Sequence, residues 1–151
     1  MADVSKHINA SPEQVWSVLA DGWMFSGWVV GASHIRDVDA NWPQVDTRLH
    51  HQAGAWPLLV SDSTAVIESV RPTLLVLQAR AWPVGEARVS LTLSGDGEGC
   101  EVRMREWPTH GVARYLHSPV QDAILAKRNL ESLDRLASIA EHRPAPAGAY
   151  R

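Results

Sequence analysis

Hydrophobic and polar positions recur along this chain with two different periods, and the change of period divides it. From Ser118 to Glu141 the period is near 3.6. Leu125, Ala126, Leu130, Leu133, Leu136, Ala137 and Ala140 gather on one side, and Lys127, Arg128, Glu131, Asp134 and Arg135 on the other. After Pro119 no glycine or proline intervenes until Pro144, so the spacing predicts a helix of about six turns, roughly 35 Å long. Ser118-Pro119-Val120-Gln121 supplies its start: a serine cap, a proline at the first helical position, and a glutamine placed to reach back. Asn129 is the one polar residue near the middle of the apolar stripe. A helix this long and apolar on one face only must lie across an apolar surface.

The segments before it supply mostly strands. Val4 to Ile8 reads as a short strand, and Ser11-Pro12-Glu13-Gln14 repeats the capped helix start. The helix that follows turns Val15, Trp16, Val18 and Leu19 towards a core and ends before Asp21-Gly22, with a second short helix from Trp23 to Trp28. From Val29 the pattern alternates in twos. Strands are predicted over Ser33 to Val38, Thr47 to Gln52, Leu58 to Val60, Ser63 to Val70, Leu74 to Trp82, Glu86 to Leu93 and Cys100 to Trp107. The turns between them are marked by Gly54 to Pro57, Arg71-Pro72, Pro83-Val84-Gly85 and Gly95-Asp96-Gly97-Glu98-Gly99. Short connections make this an antiparallel meander. Ala87, Val89, Leu91 and Leu93 share one face, as do Leu75, Leu77, Ala79 and Ala81, and Cys100, Val102, Met104 and Glu106. Glu106 is the one acid on these inward registers, whereas Arg48-Leu49-His50-His51 does not assign its own faces. The fold class is α+β: a curved antiparallel sheet of about seven strands around a long C-terminal helix, in one domain over 1–141, with a flexible tail over 142–151.

Bulk properties narrow the function. With 151 residues, 45% apolar and 21% charged, the chain has the size and composition of one soluble globular domain. A net charge of −3 with no basic cluster argues against nucleic acid. The single cysteine, Cys100, excludes an internal disulfide and fits a reducing cytoplasm. No run approaches the ~20 apolar residues of a membrane span, so a cytoplasmic protein without membrane insertion is expected. Seven tryptophans against one phenylalanine and two tyrosines suit either core filling or an apolar wall.

The order of elements and several segments carry a family likeness. Ala10 to Asp21 forms the strand-to-helix opening, and Trp28 follows the second helix. Val66 to Pro72 and Leu75-Val76-Leu77 form a strand–proline–strand element. Gly99 to Glu106 is the penultimate motif, and Asn129 to Leu136 belongs to the gripping helix. Together they resemble the START-like helix-grip (SRPBCC) superfamily, in its polyketide cyclase/dehydrase and lipid-transport group, from about Val4 to Glu141. Asp46, where a glycine is common, Arg71, where a second proline often sits, and Cys100, where threonine is usual, depart from that pattern. The resemblance implies a cavity between sheet and helix for an apolar small molecule. It implies no particular reaction, because a fold does not fix a function.

Within such a cavity Glu106 and Asn129 are the candidates for chemistry. An isolated carboxyl group in an apolar cavity is pushed towards its neutral form and can serve as general acid or base, with Asn129 orienting a carbonyl or an enolate oxygen. Equally, Glu106 reaches solvent or Arg114, and Asn129 caps a buried backbone group. Trp28, Trp56 and Trp82, at loop or strand-end positions, join Leu77, Ala79, Val89, Leu91, Met104 and Leu133 as the expected ligand-binding wall. His50 and His51 are adjacent and point to opposite faces of a strand, and His34, His110 and His117 lack carboxylates at ligand spacing, so neither a metal nor a cofactor is expected. Three functions follow: binding of an apolar or aromatic, lipid- or polyketide-like molecule; a cyclase or dehydratase using Glu106; or an interaction module with a vestigial pocket. A monomer or homodimer is expected.

Overall fold

The computed structural model describes residues 1–53, 60–81, 85–111, 115 and 118–143. The chain runs β1 (Ala2–Ile8), α1 (Pro12–Leu19), a short 3-10 turn (Gly22–Met24), α2 (Phe25–Trp28), β2 (Ala32–Val38), β3 (Arg48–Ala53), β4 (Val60–Val70), β5 (Leu74–Ala81), β6 (Gly85–Gly95), β7 (Cys100–His110) and α3 (Pro119–His142). The strands form one antiparallel sheet in the order β1-β7-β6-β5-β4-β3-β2. β2 to β7 are consecutive neighbours, and β1 closes the order beside β7.

Both capped helix starts form. The Ser11 hydroxyl accepts from the Gln14 N–H at 3.1 Å while the Gln14 side chain accepts from the Ser11 N–H at 2.9 Å. The Ser118 hydroxyl accepts from the Gln121 N–H at 3.1 Å. The second half of α3 presses Leu133, Leu136, Ala137 and Ala140 onto the concave face of the sheet, where Leu75, Leu91, Leu93, Val102 and Ile8 meet Val15 and Val18 of α1 in one closed core. Asp46 takes a φ of 69°, the left-handed region that explains why a glycine suits that position. At Gly85 a Cβ would run into the His110 carbonyl, so only glycine lets β6 start this close to the end of β7.

Two differences from the sequence reading have physical causes. Leu58 to Val60 and Ser63 to Val70 were expected as separate strands, but β4 runs unbroken through Ser61-Asp62. Asp62 sits in the ladder because its carboxylate turns back to accept from the Ser63 N–H at 2.9 Å. On α3, the apolar stripe is buried only from Asn129 onward: Leu130 is 43% exposed, and Val120 and Ile124 more so. Leu58, Trp56, Trp82, the Pro83-Val84 part of the β5–β6 turn, Arg114, His117 and the tail beyond Arg143 lie outside the described residues. Among the described residues no helix is long and apolar enough to cross a membrane.

Candidate functional site

A cavity of about 310 Å³ lies between the concave face of the sheet, the loop after α2 and the middle of α3. Its origin can be read across the ladder. In one row Leu75 pairs with Leu91 and Leu91 with Met104, and those large side chains fill the space under α3. Towards the other end of the same strands Ala79 pairs with Ala87, and two methyl groups replace two branched chains. The helix cannot close down on them because α3 is already held by Leu133 and Leu136. Leu77, Val89 and Met104 form the apolar floor, and Phe25 and Trp28 of α2 form a side wall, packed edge to face with ring centres 5.5 Å apart.

One side of the cavity is polar. Leu77, Val89 and Glu106 lie in one cross-strand row, which carries the Glu106 carboxyl group inward on β7. The Asn129 amide nitrogen, from the facing turn of α3, donates to Glu106 Oε2 at 2.8 Å. Arg128 Nη2 donates to both Glu106 oxygens at 2.9 Å. Asn129 is 1% and Glu106 7% exposed, whereas Arg128 sits at the rim with access to water. Sequence reasoning placed Arg128 on the solvated face and considered a Glu106 without a cationic partner. The structure corrects this: the Arg128 head group reaches the carboxylate, so Glu106 is an ion-paired group. One turn further on, the Ser132 hydroxyl accepts from the Val30 N–H at 3.1 Å and ties the Val29–Gly31 loop to α3.

The other polar side comes from β3 and β4. Leu49 and His51 point inward, settling the faces of β3. His51 Nε2 and Thr64 Oγ1 lie 2.9 Å apart, and the imidazole stacks on Phe25 with ring centres 5.8 Å apart and planes 28° off parallel. Burial lowers the pKa of this ring from the ordinary histidine range. The nearby Asp62 carboxylate and Gln52 carbonyl push the other way without offsetting it, and Arg36 and His50 add to the lowering. Cys100 is fully buried and its thiol is pushed up to about 11, chiefly by burial, which suits packing rather than nucleophilic attack.

Of the residues expected at the site, Trp28, Leu77, Ala79, Val89, Met104, Glu106 and Asn129 line the cavity. Leu91 and Leu133 instead lie in the closed core beside it, because the row that contains Leu91 is the one filled by large side chains. Trp56 and Trp82 fall outside the described residues. Phe25, His51, Thr64, Arg128 and Ser132 escaped the sequence reading. Ser132 was accessible to it, three residues after Asn129 on the same helical face. His51 was accessible through alternation from Leu49; Arg128 carried no signal. Among the described residues no three histidine, cysteine or acidic side chains come together as a metal site would need.

A protein of Chromobacterium violaceum superposes with a TM-score of 0.67 at 16% identity, covering 93% of this chain and 97% of that one. A Mesorhizobium loti protein gives 0.69 at 14%, covering 95% and 98%. The di-domain ARO/CYC StfQ from the steffimycin biosynthetic pathway gives 0.70 at 10%, with 93% of this chain covering 50% of that one. At such identities these likenesses speak for the fold alone. A sequence search of curated proteins gives no significant match. The family model described as "Polyketide cyclase / dehydrase and lipid transport" matches residues 2–141, nearly the whole chain, and the protein therefore belongs to that SRPBCC-type family.

Proposed function

We propose that this protein binds a compact, largely apolar aromatic molecule of polyketide-like character in the cavity between sheet and α3, with one polar group of the ligand facing Glu106, Asn129 and Arg128. The observation that carries this is the space itself: about 310 Å³ walled by Phe25, Trp28, Leu77, Val89 and Met104, with polar groups confined to its two sides. A cavity of ~150 Å³ accommodates one benzene. Roughly twice that volume suits two or three fused rings better than a long acyl chain. An open space of this size also weighs against a vestigial pocket. Native mass spectrometry of the purified protein tests the reading. A co-purified aromatic compound, released when the protein is denatured, is the expected result. Failure of every member of a broad apolar panel to bind, together with an empty native spectrum, would overturn it.

A second reading has its own support, because the Glu106 carboxylate reaches the cavity rather than stopping in the core. As a carboxylate it is a base for a proton beside a ligand carbonyl. Remaining N–H groups of Arg128 and the second amide hydrogen of Asn129 are donors to the enolate oxygen so formed. This is the cyclase or dehydratase alternative. Glu106→Gln separates the two readings once a ligand is known: near-equal loss of affinity and of any turnover supports binding, and turnover falling about a hundredfold with affinity kept supports catalysis.

A further inference from the structure

The His51–Thr64 side of the cavity has no part in that reading as it stands. Thr64 is fully buried and His51 is 4% exposed, yet both line the cavity. Their mutual contact of 2.9 Å is the only hydrogen bond either side chain makes among the described residues, and among those residues His51 Nδ1 meets no acceptor in hydrogen-bonding geometry, the nearby Gln52 carbonyl included. That asymmetry selects a tautomer. A buried N–H without an acceptor is rarer and costlier than a buried lone pair without a donor, so the proton belongs on Nε2, donated to Thr64 Oγ1. The threonine hydroxyl then accepts from the ring, and its own hydrogen is left without an acceptor among the described residues. Stacking on Phe25 holds the ring plane fixed while this happens.

We infer that Thr64, oriented by His51, is a ligand subsite whose hydroxyl donates to a neutral carbonyl oxygen, at the opposite end of the cavity from Glu106 and Asn129. This rests on the binding reading and specifies the ligand further. The subsite offers one donor and no charge, since burial disfavours the imidazolium, so it suits a ketone, quinone or ester oxygen and does not suit a carboxylate or phosphate. Between β7, which carries Glu106, and β4, which carries Thr64, lie three interstrand steps of about 4.8 Å, so the two strands are roughly 14 Å apart along the sheet and the anchors sit in different cross-strand rows. A ligand using both is flat, with a carbonyl at one end and a hydroxyl or amine donor for Glu106 at the other.

The experiment compares two probes of one shape: an environment-sensitive naphthyl ketone and 2-ethylnaphthalene, which has the hydrocarbon frame without the carbonyl. Thr64→Val is expected to weaken the ketone by about fivefold to tenfold, the size of one neutral hydrogen bond, and to leave 2-ethylnaphthalene within twofold. Thr64→Ser, which keeps a hydroxyl, is expected to restore the ketone preference. It also covers the case in which the valine variant folds poorly, as circular dichroism would reveal. The red-shifted emission of the hydrogen-bonded ketone should vanish in the valine variant and persist in the serine variant. If both probes bind wild type and Thr64→Val weakens them equally, or changes neither, the pair is structural and the subsite is refuted while the cavity reading stands. If neither probe binds wild type, the subsite is refuted, and the cavity reading falls with it only when the broad panel and the native spectrum are empty as well.

Discussion

Removing the Arg128 head group is the most direct perturbation of the site, and its size can be worked from the geometry. Two unit charges roughly 4 Å apart attract by about 1 kcal/mol in water and about 4 kcal/mol at an effective dielectric near 20. The Glu106 side chain is 9% exposed and that of Arg128 43%, so the pair lies between those limits, at about 2–3 kcal/mol. Ordering the arginine side chain takes back part of this, up to about 1 kcal/mol here. The coupling that remains is about 2 kcal/mol. Arg128→Met keeps the apolar stem and deletes the charge, so it should lower the melting temperature by roughly 4–8 °C in a chain of this length. A double-mutant cycle with Glu106→Gln isolates the pair term. Measured by urea unfolding at pH 7.5, the double variant should be scarcely less stable than either single one. A coupling below about 0.5 kcal/mol would mean that the two groups are independent, and the account of Glu106 as an ion-paired anchor would be wrong.

Stability should fall with pH below about 6.5, the ordinary histidine value, and keep falling towards the lowered value of folded His51, because the unfolded chain takes up a proton that the folded one resists. The charged and titratable groups that act on that ring are Asp62, Arg36 and His50. Asp3 and Asp96, whose pKa values are lowered, lose their contribution only as pH falls below about 3.8. His51→Gln should therefore flatten the urea midpoint between pH 7.5 and 5, and an unchanged slope would contradict the burial argument. An aromatic quencher should reduce tryptophan fluorescence saturably, with Trp28→Phe removing much of the change and Trp16→Phe, deep in the core, removing little. Cys100, fully buried with its thiol pushed up to about 11, should resist iodoacetamide at pH 8 in the native protein and react on unfolding; rapid native labelling would show that β7 opens locally.

The elements were legible because each is written with its own local signals. Serine–proline starts announce α1 and α3, alternation announces β5 to β7, and Gly95 to Gly99 announces the last hairpin. The inward registers of Glu106 and Asn129 followed from the same periodicities. What stayed hidden depends on reach or on neighbours. Arg128 is adjacent in sequence to Asn129 and about 100° around the helix from it, so no helical pattern brings both to one carboxylate. Asp62 reads as a turn residue until its side chain is seen folded back on the Ser63 N–H. The alanine pair at positions 79 and 87 was visible as two small inward residues, but whether small side chains mean a void or a closer helix depends on what holds α3 away.

The uneven burial of α3 makes it mechanically a cantilever. From Asn129 to Ala140 it is clamped by Ser132, Leu133, Leu136 and Ala137, whereas from Pro119 to Arg128 no side chain is buried. At 1.5 Å per residue that overhang is about 15 Å long. Its amide hydrogens should exchange well before those of the clamped half, since little apolar contact is lost when it frays. Arg128 stands at the last position of the overhang, so its bonds to Glu106 act as a latch at the fulcrum. A ligand group that drew Glu106 away would release that latch and leave the surface pair of the Met1 amino group with Asp122 Oδ1, 2.9 Å apart, to tie the overhang to β1.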